Sequence, residues 1–222
     1  MLISCFQLRF VVFICAAFFL VFSTFENSAQ AADKKKDKVY FVRGNFIDFH
    51  SKIHQKAEKA LFRLMRDRFW YVDYKSVHNH RWEQVCEDLI QLDRKKKLGR
   101  VILLGHSWGA QVSWAIARCV QEKVFRSLDL VVAMDPVQKP FHPDVRVVPF
   151  NVKNVFAVSQ PDGFWFQRGV QGLMRPDGSR RGIELRLLDF NEHPKAHDLV
   201  FFELVQDRTL EDLISYTLSS PW

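Results

Sequence analysis

The chain has 222 residues, 48% of them hydrophobic and 26% charged. That is long and apolar enough for one domain with a substantial core, and it excludes the composition of a disordered chain. The net charge is +7, and much of the excess lies in Lys34-Lys35-Lys36 and Arg94-Lys95-Lys96-Lys97. Such runs are expected on solvated surface, where they suit contact with an anionic membrane surface or another polyanion. No basic patch is interleaved with aromatics, so nothing argues for nucleic acid as a partner.

The first element is Phe10–Phe25, FVVFICAAFFLVFSTF, a run without charge that follows Arg9 and precedes Ala29-Gln30-Ala31. A positive flank, an apolar stretch and an A-x-A site are the parts of a secretory signal, and the run is short of the roughly 20 residues that a membrane span needs. The expected organisation is a signal peptide over residues 1–31, cleaved after Ala31, a polar linker over 32–38 and one domain over 39–222. This makes the protein exported, periplasmic or secreted; the alternative is retention of the segment as an N-terminal membrane anchor. Loss of the signal removes Cys5 and Cys15 and leaves Cys86 and Cys119 in an oxidising compartment, either bridged or as two buried thiols. No CxxC suggests a cysteine metal site.

Val39–Val42 reads as a compact strand. His50–Arg68 repeats apolar residues at three and four positions and reads as a helix, followed by a second strand candidate at Phe69–Val72. His80–Arg94 carries one apolar stripe on a helix, with Gly99 as its stop. Val101–Leu104 is a strand without polar alternation, Gly109–Val120 a helix and Leu130–Met134 another all-apolar strand. A proline-punctuated loop follows, then strands at Val155–Val158 and Ile183–Leu188 and a final helix over Asp198–Leu218. Strands alternating with helices imply an α/β fold, a mostly parallel sheet with helices on both faces. Ligands in such sheets bind at the carboxyl ends of the strands.

The segment LLGHSWGA places Ser107 at the end of one apolar strand and the start of a helix. Gly105-His106-Ser107-Trp108-Gly109 is G-x-S-x-G, the nucleophile elbow: the turn is so tight that side chains two residues away would collide, and the serine is held in a strained backbone conformation clear of the chain. The backbone N–H of Trp108 then faces a developing oxyanion. A serine hydroxyl needs a base, and a histidine base needs an acid to orient it. In the order serine, acid, histidine, two acids qualify. Asp135 ends LVVAMDP directly after a buried strand; Asp162 lies in SQPDG, where a turn alone explains it. Asp135 is preferred. For the base, NEHPKAHDLV offers His193 and His197, and His197 is preferred because it abuts the last helix. The second oxyanion donor falls in Arg43-Gly44-Asn45, with the N–H of Asn45 as the candidate and Gly44 permitting close approach.

The other histidines call for less. His193 and His197 are spaced H-x3-H, but Pro194 interrupts them and no glutamate lies between, so no metal is expected. His78 and His80 fit a loop and helix cap, His142 a proline-rich loop, and His106 a support for the elbow.

From FVRGN through LLGHSWGA and VVAMDP to HPKAHDLV, the chain resembles the α/β-hydrolase superfamily on its lipase, esterase and thioesterase side. It departs from many members in having Arg43-Gly44 where they have His-Gly, and it is too short for a large cap domain. The resemblance implies a small α/β-hydrolase fold and acyl transfer to water without a cofactor: Ser107 attacks an ester or thioester carbonyl, His197 takes and returns the proton, and Asp135 orients the histidine. The implied substrate is a small, lipophilic acyl ester or thioester, with Phe164-Trp165-Phe166 as a candidate acyl-pocket, lid or membrane-contacting cluster. The alternative from another class is a non-catalytic binding protein on the same fold.

Overall fold

The computed structural model describes residues 35–44, 51–137, 146–160, 173–190 and 196–220. The chain divides into a unit of residues 1–35 and a unit of residues 36–222, and the second unit holds the whole of the sheet and its helices.

Six strands occur among the described residues: β1 (Lys36–Arg43), β2 (Asp73–His78), β3 (Leu98–His106), β4 (Leu128–Met134), β5 (Val152–Ser159) and β6 (Ile183–Leu187). They form one sheet in the order β2-β1-β3-β4-β5-β6, with every pairing parallel. Five helices accompany them: α1 (Lys52–Arg68), α2 (Trp82–Arg94), α3 (Trp108–Val124), α4 (Ala196–Gln206) and α5 (Thr209–Ser219).

The inner strands have no polar face because both faces are covered. On β4, Leu130, Val132 and Met134 pack with α1, α4 and α5, while Val131 and Ala133 pack with α2 and α3. Burying each of the leucine, valine and methionine side chains contributes roughly 1.5–3 kcal/mol. Ser51 starts α1 by accepting a hydrogen bond from the N–H of His54 at 3.2 Å, and Ala57, Leu61 and Met65 turn its apolar stripe inward. Cys86 on α2 and Cys119 on α3 are joined by a disulfide, with α carbons 6.2 Å apart; of the two states the sequence left open, this is the bridged one. None of the described helices is long and apolar enough to cross a membrane.

Four expectations are corrected. Phe69–Val72 is not a strand: Phe69 closes α1 with its N–H on the carbonyl of Met65, and the N–H of Val72 turns back to Phe69. The second strand is the polar DYKSVH that follows, an edge strand whose half-exposed faces lack the apolar signature of the others. Gly99 does not stop a helix. α2 ends at Arg94, and Gly99 lies within β3, where a Cβ would stand 2.3 Å from the Asp37 carboxylate. The last helix is two helices, broken at Arg208, whose φ of 66° is left-handed. The first of them already includes Ala196 and His197 rather than starting at Asp198.

Candidate active site

β1 lies one strand in from the edge; from it the chain runs out to β2 and returns to the other side of β1 as β3, so the strand order reverses between β1 and β3. A crevice opens at the carboxyl ends of the strands at such a reversal. The register pairs Val42 with Gly105, Gly105 with Ala133, and Ala133 with Ala157. Two residues further on, Gly44, Ser107, Asp135 and Ser159 therefore follow one another across the top of the sheet.

Ser107 occupies the turn between β3 and α3 with φ 57° and ψ −129°, a conformation that side chains adopt only under constraint. Its N–H donates to the carbonyl of Met134 at 2.9 Å, and its own carbonyl accepts from Ala110 at 3.1 Å and Val137 at 3.3 Å. The glycines on either side have no room for a side chain. A Cβ on Gly105 would lie 2.5 Å from the α carbon of Ala110, and one on Gly109 would lie 2.0 Å from the carbonyl oxygen of Val42. Gly44 closes the crevice from β1: a Cβ there would reach 2.8 Å from that of Ser107. Trp108 is the first residue of α3, at the positive end of the helix dipole.

Asp135 follows β4 directly, fully buried and itself at a positive φ of 42°. Its carboxylate accepts from Gln160 Nε2 at 2.6 Å and from Ser159 Oγ at 3.3 Å. Nδ1 of His197 lies 2.6 Å from Asp135 Oδ2, which assigns the ring proton to that nitrogen and turns Nε2 into the basic one. His197 is one-third exposed. The structure thus brings Asp135 and His197 into contact, with Ser107 at the neighbouring strand end. Asn45, Asp162, His193 and Phe164-Trp165-Phe166 lie outside the described residues.

Several residues around the site escaped the sequence reading. Ser159 ends β5 and Gln160 follows it, and only the pairing of β5 with β4 reveals that they hold Asp135. His106 does more than occupy the elbow: its Nε2–H donates to the backbone carbonyl of His197 at 3.0 Å, and its ring lies 4.6 Å from that of His197. Burial, together with the neighbouring charges of His197 and His54, holds the His106 imidazole well below its usual range. Behind it, His54 is fully buried between Glu58, at 3.3 Å, and Asp198, at 3.6 Å. Burial opposes its charge, but the two carboxylates outweigh burial and raise its pKa. Burial likewise opposes the ionised form of Asp198, yet bonding to His54 and Ser51 and the charge of His106 bring that carboxyl down to about 2. Spacing gives no hint of this group, because His54, His106 and Asp198 come from three separate elements.

These three side chains are also the described group whose ligand atoms, all within 4.8 Å of one another, come closest to a metal-binding arrangement. Each is already engaged: His54 with Glu58 and Asp198, and His106 with the His197 carbonyl. Engaged in this way, they tie α1 and β3 to the start of α4.

Comparison with known proteins agrees with this architecture. The model of the alpha/beta hydrolase family matches residues 42–217. No sequence among the curated proteins matches the chain. Among solved structures, EstE1, a thermophilic and thermostable carboxylesterase cloned from a metagenomic library, superposes with a TM-score of 0.51 at 11% identity, covering 78% of this chain and 81% of that one. A protein of unknown function from Agrobacterium tumefaciens superposes with a TM-score of 0.52 at 14% identity, covering 81% and 88%. At these identities the likeness is one of fold.

Proposed function

Because the chain belongs to the alpha/beta hydrolase family, we propose that it is a serine hydrolase that cleaves esters or thioesters through an acyl-enzyme, with Ser107 as nucleophile, His197 as base and Asp135 as the orienting acid. The observation that carries this reading is the contact of 2.6 Å between His197 Nδ1 and the buried carboxylate of Asp135, formed beside a serine in strained elbow geometry.

In the proposed reaction, Ser107 Oγ attacks the acyl carbonyl and its proton passes to His197 Nε2. Asp135 stabilises the imidazolium without taking the proton. The oxyanion accepts hydrogen bonds from the backbone N–H of Trp108 and, on this proposal, that of Asn45. Collapse expels the alkoxide or thiolate, which recovers its proton from His197. Water, deprotonated by the same nitrogen, then releases the acid and regenerates Ser107.

A lipophilic acyl group belongs to the same proposal, as does export. The apolar run Phe10–Phe25 supports export, and the Cys86–Cys119 bridge is of a kind that an oxidising compartment sustains.

The test is labelling by a fluorophosphonate probe, with Ser107→Ala beside it, followed by hydrolysis of p-nitrophenyl esters of increasing acyl length. Labelling that the substitution abolishes is the expected result. A folded protein that neither labels nor turns over any ester of the series overturns the enzymatic reading in favour of a binding protein.

A further inference from the structure

In an all-parallel sheet every strand starts at the same end. That end lies opposite Ser107: β3 is nine residues long, about 30 Å at 3.3 Å per residue. Across the sheet, exposed aromatic and basic residues recur among those that lead into the strands. Trp70 and Tyr71 precede β2, Lys36 opens β1, and Lys95, Lys96 and Lys97 precede β3. Phe125 precedes β4, Phe150 precedes β5, and Arg180 and Arg181 precede β6. Lysines from two distant runs of the sequence become one patch here because β1 and β3 are neighbours; the N–H of Lys36 donates to the carbonyl of Lys97 at 2.9 Å.

The aromatics of this edge are not buried in the core. Trp70 is 79% exposed, Tyr71 55%, Phe125 87% and Phe150 63%. Phe125 is the most telling. It caps α3 with a φ of 55°, a left-handed position that glycine fills at no steric cost and that a bulky residue fills with strain. A phenylalanine with its ring in solvent there serves neither the cap nor the core. The acids at this end are mostly engaged within the fold: Asp37 accepts from the N–H of Arg100, Asp67 pairs with Arg66, and Asp93 faces Arg126.

We propose that this edge is a docking face for an anionic lipid surface. Tryptophan, tyrosine and phenylalanine at loop tips enter the interface between headgroups and acyl chains, and the lysines and arginines between them pair with lipid phosphates. A polyanion in solution would use the lysines and leave the four aromatics without a role. Docking in this way points Ser107 away from the lipid, towards substrate delivered from water. That last consequence rests on the hydrolase reading; the docking face does not.

The experiment uses the protein as cells produce it, with an unaltered N-terminus, mixed with vesicles of phosphatidylcholine alone or with phosphatidylglycerol, some carrying brominated acyl chains. Sedimentation reads binding, and bromine quenching of tryptophan fluorescence reads which face touches lipid. Binding is expected only with phosphatidylglycerol and is expected to fall with salt. Lys95→Ser/Lys96→Ser/Lys97→Ser weakens it about a hundredfold. The Trp70→Phe protein still binds but loses the quenching. All these positions are exposed, and a thermal melt verifies that each variant is folded.

Binding that no variant changes, quenching that survives Trp70→Phe, or equal binding to neutral vesicles overturns the proposal; the first two assign lipid contact to the N-terminal segment or to another face. Capture by heparin without vesicle binding replaces the lipid with a soluble polyanion. Self-association abolished by Phe125→Ser/Phe150→Ser, without vesicle binding, replaces it with a second copy of the chain. Failure of fluorophosphonate labelling leaves every one of these readouts unchanged, so the hydrolase reading and the docking face fail separately.

Discussion

Ser107 sits where a glycine would be at ease. Its φ of 57° and ψ of −129° lie in a region that an L-residue enters at a cost of about 1–3 kcal/mol, and the Met134 carbonyl, Ala110 and Val137 hold it there. Ser107→Gly is therefore expected to be more stable than Ser107→Ala by about 1 kcal/mol, as read from urea unfolding. Equal midpoints for the two variants would mean that the elbow is unstrained.

A second expectation at this scale concerns Asp198. Its folded pKa of about 2 lies below the ordinary 3.8, so the folded chain binds fewer protons than the unfolded one between those values. The resulting stability is fully present above pH 3.8, rises with pH across the window and is lost as pH falls through about 2. Asp198→Asn removes it. Denaturant unfolding from pH 7 down to pH 2 should show a gap between wild type and variant that is wide at neutral pH and closes at the acid end. A gap that stays constant would place the loss in packing rather than in the charge facing His54.

At the scale of elements, α2 and α3 meet through Cys86–Cys119, whose cysteines are 33 residues apart. Closing a loop of that length restricts the unfolded chain by about 3–4 kcal/mol. Cys86→Ala/Cys119→Ala should lower the unfolding free energy by that order, and a reducing agent should destabilise wild type while leaving the double variant unchanged. The same two helices show why some elements were readable in advance and others were not. The stripe of α2 and the unbroken apolar run of β3 declare themselves at their own periods. β2 does not, because an edge strand with half-exposed faces mixes polar and apolar residues much as a loop does. The break at Arg208 was hidden for the opposite reason: apolar residues continue in helical spacing through Leu210 and Ile214, and only a left-handed φ separates the two helices.

Over the whole molecule, order should follow burial. β3 and β4 are buried almost throughout, whereas β2 and β6 form the two edges with exposed positions along their length. Hydrogen exchange is expected to be slowest in β1, β3, β4 and β5 and markedly faster in β2 and β6. Peptide-level exchange read by mass spectrometry checks this, and protection in β2 equal to that in β3 would mean that something else pairs with that edge.

The α/β class and the elbow were already legible in the amino-acid order. Both are local matters: periodicity reports burial one element at a time, and a serine between close glycines reports one turn. The acid and the base were narrowed to two candidates each, since chain order and strand ends restrict where such residues can stand. Contact between Asp135 and His197 came from the register of β4 against its neighbours and the docking of α4, which no single element contains. The supports of that pair arose the same way: Gln160 and His106 from neighbouring strand ends, and His54 from the helix packed beside α4. The merging of distant lysines with four exposed aromatics has the same cause. A parallel sheet gathers the starts of all its strands at one end, so residues far apart in the chain share a surface that spacing alone does not reveal.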